Sequence, residues 1–334
     1  MAWYWILLLA LAALFLLVFF GGGYVAFRGA LRRRKVKGAS SRMQAPDPNA
    51  QMRLEKEAQG RAWLFAQNPE EVALQSFDGL TLRGYFLPAA RPSNKLVVCA
   101  HGYSYNGPDQ FGALLPFYHD ELNYNILLPD QRAHGRSDGN WIGFAALEWR
   151  DILDWAAAFA QRLGPETEVV LHGISMGGAT VMNCNAHNPP DYIKCVVEDC
   201  GYTNGYEMIC LVARRDLHVN VPPMMWGAAF WFRVLQHCSL RRDCDPFGNI
   251  AKFKLPTLFI HGANDRFVPA EMGLRCYEAA AVPKDLLLVE GAGHSLSYFV
   301  GKEQYEAKLR EWLLTRPSRT SSPCGSPGSP RPPR

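Results

Sequence analysis

Between residues 71 and 315, short apolar runs alternate with longer amphipathic stretches, and the alternation predicts the elements. Residues 72–87 alternate apolar and polar positions, turn at Asp78 and Gly79, and alternate again, which is the signature of a β-hairpin. Residues 95–100 (KLVVCA) and 124–129 (YNILLP) are continuous apolar runs, as parallel strands buried on both faces require. Residues 169–174, 193–198, 257–260 and 285–289 repeat that pattern. A long amphipathic helix is expected over 144–162 and a last one over 302–314. Strands alternating with helices predict an α/β class chain with a mostly parallel, doubly wound sheet, opened by an antiparallel hairpin. From 202 to 250 the alternation stops, and aromatic and Met residues (Met224, Met225, Trp226, Phe230, Trp231, Phe232) fill helical stretches. This region reads as a helical cap over the strand C-termini, where such sheets bind ligands; a plain pair of packing helices is the alternative.

The two ends differ from the middle. Residues 2–27 carry no charge and have Trp3, Tyr4, Trp5 and Tyr24 near their limits, as a membrane-spanning helix with interfacial aromatics would. A cleaved signal peptide fits less well because the stretch lacks a basic leading region, and a buried helix less well because nothing polar marks an outer face. Arg28, Arg32, Arg33, Arg34, Lys35, Lys37 and Arg42 follow at once, which by the positive-inside rule leaves the rest of the chain in the cytoplasm. Residues 28–70 read as a basic juxtamembrane linker with one short helix. Residues 316–334 are too rich in Pro and Ser for helix or strand and read as a disordered tail.

The ends hold 7 and 4 of the 35 Lys and Arg and none of the 31 acidic residues, so the body between them is acidic and shows no nucleic-acid footprint. The 9 cysteines lack zinc or redox spacing and read as free structural thiols.

The chemistry gathers at residues 169–179. An apolar run ends in Gly173-Ile174-Ser175-Met176-Gly177, and a small-residue helix start follows. This strand–turn–helix setting is what a nucleophile elbow needs, and it makes Ser175 the candidate nucleophile. A serine hydroxyl needs a base, and the base needs an anion to fix its tautomer, in the chain order serine, acid, histidine. Asp265 follows the strand ending near His261, and His294 follows the last strand in a loop whose two glycines, Gly291 and Gly293, let it bend back over the sheet, so both stand in order. Glu198 and Asp199, one strand earlier, are the rival acids. His172 is expected to pack beneath the elbow, His134 to sit in a structural turn with Arg132 and Arg136, and His261 to be a core residue. The backbone N–H groups of Met176 and Tyr103 are the expected oxyanion donors, one after the nucleophile and one after the His101-Gly102 strand end.

Residues 71–315 therefore resemble the α/β-hydrolase superfamily. The runs 128–137 (LPDQRAHGRS), 172–178 (HGISMGG), 198–202 (EDCGY) and 261–269 (HGANDRFVP) are similar to a family of bacterial membrane-anchored serine hydrolases, with kinship to the dienelactone-hydrolase and prolyl-oligopeptidase-like groups. The resemblance implies the α/β-hydrolase fold, a Ser175–Asp265–His294 triad and carboxylic-ester hydrolysis without a metal or organic cofactor. It implies a small-molecule ester or amide as substrate and the bilayer as partner. A serine peptidase, acyltransferase or thioesterase would use the same triad, and a catalytically idle membrane scaffold is the reading from a different class. A dehalogenase is excluded, since that chemistry needs an aspartate at the elbow. Ala263 departs from the usual glycine or acid, and the proline-rich tail is not a family feature.

Overall fold

The central apolar runs become one sheet because each can bury alternate side chains on both of its faces, while the edge strand Glu70–Gln75 stays largely exposed. The computed structural model describes residues 2–33, 49–215, 218 and 221–315. The strands are β1 (Glu70–Gln75), β2 (Thr81–Leu87), β3 (Lys95–Ala100), β4 (Asn125–Asp130), β5 (Glu168–Ile174), β6 (Ile193–Asp199), β7 (Thr257–Gly262) and β8 (Lys284–Val289). They order as β1-β2-β4-β3-β5-β6-β7-β8. The hairpin strands β1 and β2 pair antiparallel, as do β2 and β4, and every other neighbour pair is parallel. This is the α/β-hydrolase fold, a mostly parallel sheet with an antiparallel edge.

The helices are α1 (Ala2–Leu16), α2 (Gly23–Leu31), α3 (Ala50–Ala66), α4 (Gly107–Phe111), α5 (Glu148–Leu163), α6 (Met176–Ala186), α7 (Gly205–Arg215), α8 (Pro222–Gln236), α9 (Ala270–Ala279), α10 (Ser297–Val300) and α11 (Lys302–Thr315). Strand period two sorts the core. Val97 and Cys99 of β3 face a layer with Phe111, Tyr305 and Trp312, while Leu96, Val98 and Ala100 face Trp155, Phe159 and Val181.

Two expectations need correction. Residues 28–70 are not a linker throughout: α3 spans 17 residues, its Leu64 is fully buried, and a Cβ on Gly60 would lie 2.1 Å from the Gly112 backbone. Such backbone-to-backbone contact fixes α3 to the body. The long amphipathic helix begins at Glu148 and not near 144, because Phe144 and Ala145 take φ of 55° and 75° and form a turn first. Of the basic run, Arg34, Lys35, Lys37 and Arg42 lie outside the described residues, as does the tail 316–334. The eight cysteines among the described residues are free thiols.

The N-terminal helix has two halves with different surroundings. Residues 3–17 are exposed, and α1 continues through the wider turns of Leu17–Gly22 into α2. The stretch Trp3–Leu31 is long and apolar enough to cross a bilayer, a test that an anchor and a leader both pass. Its second half docks on the body. A Cβ on Gly227 would lie 1.8 Å from the Phe19 carbonyl oxygen, so α8 crosses the chain here backbone to backbone. The Trp231 indole N–H donates to the Phe20 carbonyl oxygen at 2.9 Å, and the Phe27 ring packs tilted against Trp141 at 4.6 Å. Beyond α2 the main chain pairs with the loop at 140–142, through Ile142 N–H to Leu31 O (2.7 Å) and Arg33 N–H to Asn140 O (2.8 Å).

A helix that merely tethers the body would tolerate truncation anywhere. Phe27 is 0% exposed and Val25 is 70% exposed. Phe27→Ala should therefore lower unfolding stability by about 3–5 kcal/mol, as buried Phe truncations do, and Val25→Ala should change it by less than about 0.5 kcal/mol. Urea unfolding in detergent reads both, and equal, small effects would mean that α2 is not part of the core.

Candidate active site

The sheet delivers three side chains to one edge from three strand ends. Ser175 follows β5 at φ 59°, ψ −118°, a conformation that costs a non-glycine residue about 1–3 kcal/mol. The neighbours explain how it is held. A Cβ at Gly177 would lie 1.8 Å from the Ala100 carbonyl oxygen, and one at Gly173 would lie 2.0 Å from that of Gly177. Only glycine at both places lets α6 start against β3 with the serine on the crest. The turn is pinned by Ser175 N–H to Asp199 O at 2.8 Å and Ala179 N–H to Ser175 O at 3.1 Å.

Ser175 Oγ lies 2.8 Å from His294 Nε2, and His294 Nδ1 lies 2.7 Å from Asp265 Oδ2. The three residues expected from the sequence are thus brought together, in the loops after β5, β7 and β8. Asp265 Oδ1 accepts the N–H groups of Phe267 (2.8 Å) and Val268 (2.9 Å). Burial alone would raise the pKa of this carboxyl. His294 and His261 overcome that and hold it well below the usual carboxylate range. With Nδ1 facing a carboxylate, His294 carries its proton there and presents Nε2 to the serine as an acceptor.

The rival acids are engaged elsewhere. Glu198 Oε2 accepts the Gly201 N–H at 2.8 Å, and burial pushes its pKa up to about 7. Asp199 accepts hydroxyls from Ser297 (3.3 Å) and Tyr305 (3.1 Å), and burial pushes it up to about 6. His261 is buried, donates from Nε2 to Val268 O at 3.0 Å and stands 3.4 Å from Asp265 Oδ2. Burial disfavours its charge, but Asp265 and Glu198 outweigh that and raise its pKa. It is a core histidine, as expected, that also touches the acid.

His172 lies beneath the elbow between the hydroxyls of Tyr118 (2.8 Å) and Tyr305 (3.1 Å), and burial pushes its pKa down to about 3. His134 accepts the Ser104 N–H at 3.1 Å and is pushed down to about 3, first by burial and then by His101. Arg132 forms a buried pair with Asp151 (2.7 Å) and a second with Asp78 (2.8 Å), which stiffens that turn.

The loop after β3 comes close to the nucleophile, since a Cβ on Gly102 would lie 3.2 Å from Ser175 Cβ. Gln110 accepts the Gly102 N–H, and the Gln131 side chain donates to His101 O. These two braces have no sequence motif and were not foreseen. Met176 begins α6, and Tyr103 stands in the braced loop with its hydroxyl donating to Ala30 O of α2. Met176, Phe144, Tyr202, Phe27, Leu31 and Phe232 share one apolar cluster over the site. Arg215, ending α7, donates to the carbonyls of Arg266 and Phe267 beside Asp265.

Cys200, Asp265 and His294 bring ligand atoms within 4.8 Å of one another. They do not suit a metal: both His294 nitrogens are already engaged, and burial holds the Cys200 thiol far above its ordinary pKa, away from the thiolate a metal needs.

Comparison with known proteins agrees with this architecture. Residues 97–307 match the alpha/beta hydrolase family, and the chain belongs to that family. It is 25% identical over 235 residues to the uncharacterized protein YqkD of Bacillus subtilis, covering 70% of this chain and 76% of that one. It is 26% identical over 262 residues to the non-heme chloroperoxidase CPO-A1 of Kitasatospora aureofaciens, covering 65% and 91%. Among solved structures, the esterase Pf2001 of Pyrococcus furiosus superposes with a TM-score of 0.60 at 19% identity, over 76% of this chain and 95% of that one. Est1E of Butyrivibrio proteoclasticus, solved with ferulic acid bound, gives 0.57 at 22% identity, over 73% and 98%. At these identities the structures share the fold alone.

The raised Glu198 pKa has a sign that can be measured. Between about pH 4.5 and 7 the folded state keeps a proton that the unfolded state has lost, so Glu198 makes stability fall as pH rises through that window. Glu198→Gln, which keeps an acceptor for Gly201, should gain about 1–3 kcal/mol relative to wild type at pH 8 and little at pH 4. Urea midpoints at both pH values test this. A variant less stable at pH 8 would mean that an ionised Glu198 is held by a partner.

Proposed function

We propose that this chain is a membrane-anchored serine esterase that cleaves carboxylic esters through an acyl-enzyme. The observation that carries the reading is the unbroken line from the strained Ser175 Oγ through His294 to a carboxylate at 2.8 and 2.7 Å. Ser175 Oγ attacks the ester carbonyl carbon, and His294 Nε2 takes the hydroxyl proton. The N–H groups of Met176 and Tyr103 receive the negative charge that forms on the carbonyl oxygen, and the N-terminus of α6 favours the same charge. When the carbon–oxygen bond to the alcohol breaks, His294 returns the proton to the leaving oxygen. Water then attacks the acyl-enzyme with His294 again as base, releasing the acid and restoring Ser175. Asp265 holds the imidazole in the required tautomer and balances its transient charge.

The esterase neighbours and the bound ferulic acid of Est1E support an acyl or aryl ester as substrate class, as does the apolar cluster beside Met176. The motifs at 128–137 and 261–269 support kinship with the dienelactone-hydrolase and prolyl-oligopeptidase-like groups. Anchoring is supported by the exposed, uncharged α1. Its retention in the mature protein is supported by the burial of Phe27 and Leu31, which a cleaved leader would leave as holes. The basic residues after α2 favour a cytoplasmic body.

A fluorophosphonate probe should label the full chain, and the labelling should vanish in Ser175→Ala and His294→Ala. With p-nitrophenyl esters, Asp265→Asn should lower kcat by about 10³–10⁴-fold, because the imidazole loses its tautomer. Absence of labelling in a folded wild type would sink the reading.

A further inference from the structure

The cap helix α8 has two apolar faces, and the body covers only one. Met225, Ala228 and Phe232 are buried on one side, Ala228 and Phe232 in the cluster that holds Phe27 and Met176, and Gln236 on that side donates to Ile142 O at 3.1 Å. Trp226, Phe230 and Val234, spaced four residues apart, form a stripe on the other side and stay 47%, 38% and 42% exposed. An exposed stripe of this kind is rare on a soluble surface and marks a contact with something apolar.

The neighbours identify that contact. Phe230 touches the rings of Phe19 and Phe20 at 5.7 and 5.5 Å, so the stripe runs without a break into the exposed apolar face of α1 and Leu17. Trp231 and Tyr24 pack edge to face at 5.3 Å where α2 begins, the place of interfacial aromatics on a spanning helix. Residues 2–33 and 221–236 contain Arg28, Arg32, Arg33 and Arg233 and no acidic residue, and Arg28, Arg32 and Arg233 are exposed. An amphipathic helix with tryptophan on its apolar side and arginine at its margin suits the boundary between anionic headgroups and acyl chains. Because α8 is locked to residues 19–27 by backbone contact at Gly227, it cannot leave the level at which that helix emerges.

We propose that the outer face of α8 lies in the bilayer interface beside α1, and that the site draws its ester from that layer as a membrane-borne acyl ester. This rests on the esterase reading above. On the inner side of α8, Phe232 packs with Phe27, Tyr103 and Phe144 in the same apolar cluster as Met176, next to the nucleophile. The wall between that layer and the elbow is thus apolar and packed throughout.

The test uses the full chain in vesicles of phosphatidylcholine and phosphatidylglycerol whose acyl chains are brominated near the headgroup. The emission lost in Trp226→Phe, relative to wild type, is the share of Trp226. That share should be quenched by half or more in brominated vesicles, and an unquenched share overturns the proposal. The double variant Trp226→Glu, Phe230→Glu should lose about tenfold in turnover of p-nitrophenyl palmitate held in the vesicles, with p-nitrophenyl acetate turnover and fluorophosphonate labelling unchanged. Equal loss on both esters, or loss on neither, overturns it. So does a double variant that turns a cross-linked dimer into monomer, since a second copy would then be what covers the face. A wild type that fails to label at Ser175 defeats the esterase reading instead, and the quenching result then decides the placement of α8 by itself.

Discussion

The site depends on how closely two backbones approach where β5 gives way to α6. The Gly177 Cα faces the Ala100 carbonyl oxygen with no room for a Cβ, and Gly173 faces Gly177 in the same way. This double contact drives the start of α6 into the sheet and leaves Ser175 at a positive φ on the crest. The rest of the core holds the strained turn in place. All eleven residues of α6 are buried, so relaxing the turn would mean withdrawing a fully packed helix. A local strain of about 1–3 kcal/mol is thus opposed by several buried side chains, each contributing about as much.

Electrostatics then distinguish three carboxylates that crowd the same edge. Glu198, Asp199 and Asp265 are all buried, and by desolvation alone all three would be driven toward the neutral form. Only Asp265 is met by two backbone N–H groups and two histidines, and only its pKa is depressed. Asp199 has two hydroxyls and Glu198 a single N–H for company, and burial pushes both up. The number of donors around each carboxylate decides which of the three is held ionised. The same reasoning keeps His172 neutral between two tyrosine hydroxyls, so no positive charge sits beneath the nucleophile.

What could be read in advance follows from the range of the interactions. Strand runs, the hairpin turn and the elbow are written in a few consecutive residues, and the structure places the strands within a residue or two of the expected bounds. Asp265 and His294 were legible because each follows a strand in the expected order, His294 just after two glycines. Residues whose role depends on distant neighbours were not legible. Gln110 and Gln131 brace the loop at Gly102 by hydrogen bonds without a motif. The start of α5 was displaced by two positive φ values at Phe144 and Ala145, which no periodicity reports. Phe27 and Leu31, one helical turn apart, bury themselves in the cluster with Ile142 and Phe232, but they end an apolar run in which every face looks alike. A membrane segment and a core helix share one composition, so only the packed structure separates the exposed half from the docked half.

That division changes what the N-terminal helix is for. A flexible tether would let the body turn freely relative to that helix. Here α2 is held at three separate places: by Gly227 of α8, by the main chain of the loop at 140–142, and by the Tyr103 hydroxyl at Ala30. Contacts at three separate places along the helix hold it in one orientation on the body. Tyr103 stands in the loop beside the nucleophile, and Phe232 of α8 stands in the cluster over it, so two of the three contacts belong to the walls of the site. Removing the helix to obtain a soluble protein would therefore leave Ser175, His294 and Asp265 in place but take away part of the enclosure around them. Loss of activity in such a truncation would report on the cap before it reported on the triad, and the intact chain is the form in which the chemistry has to be measured.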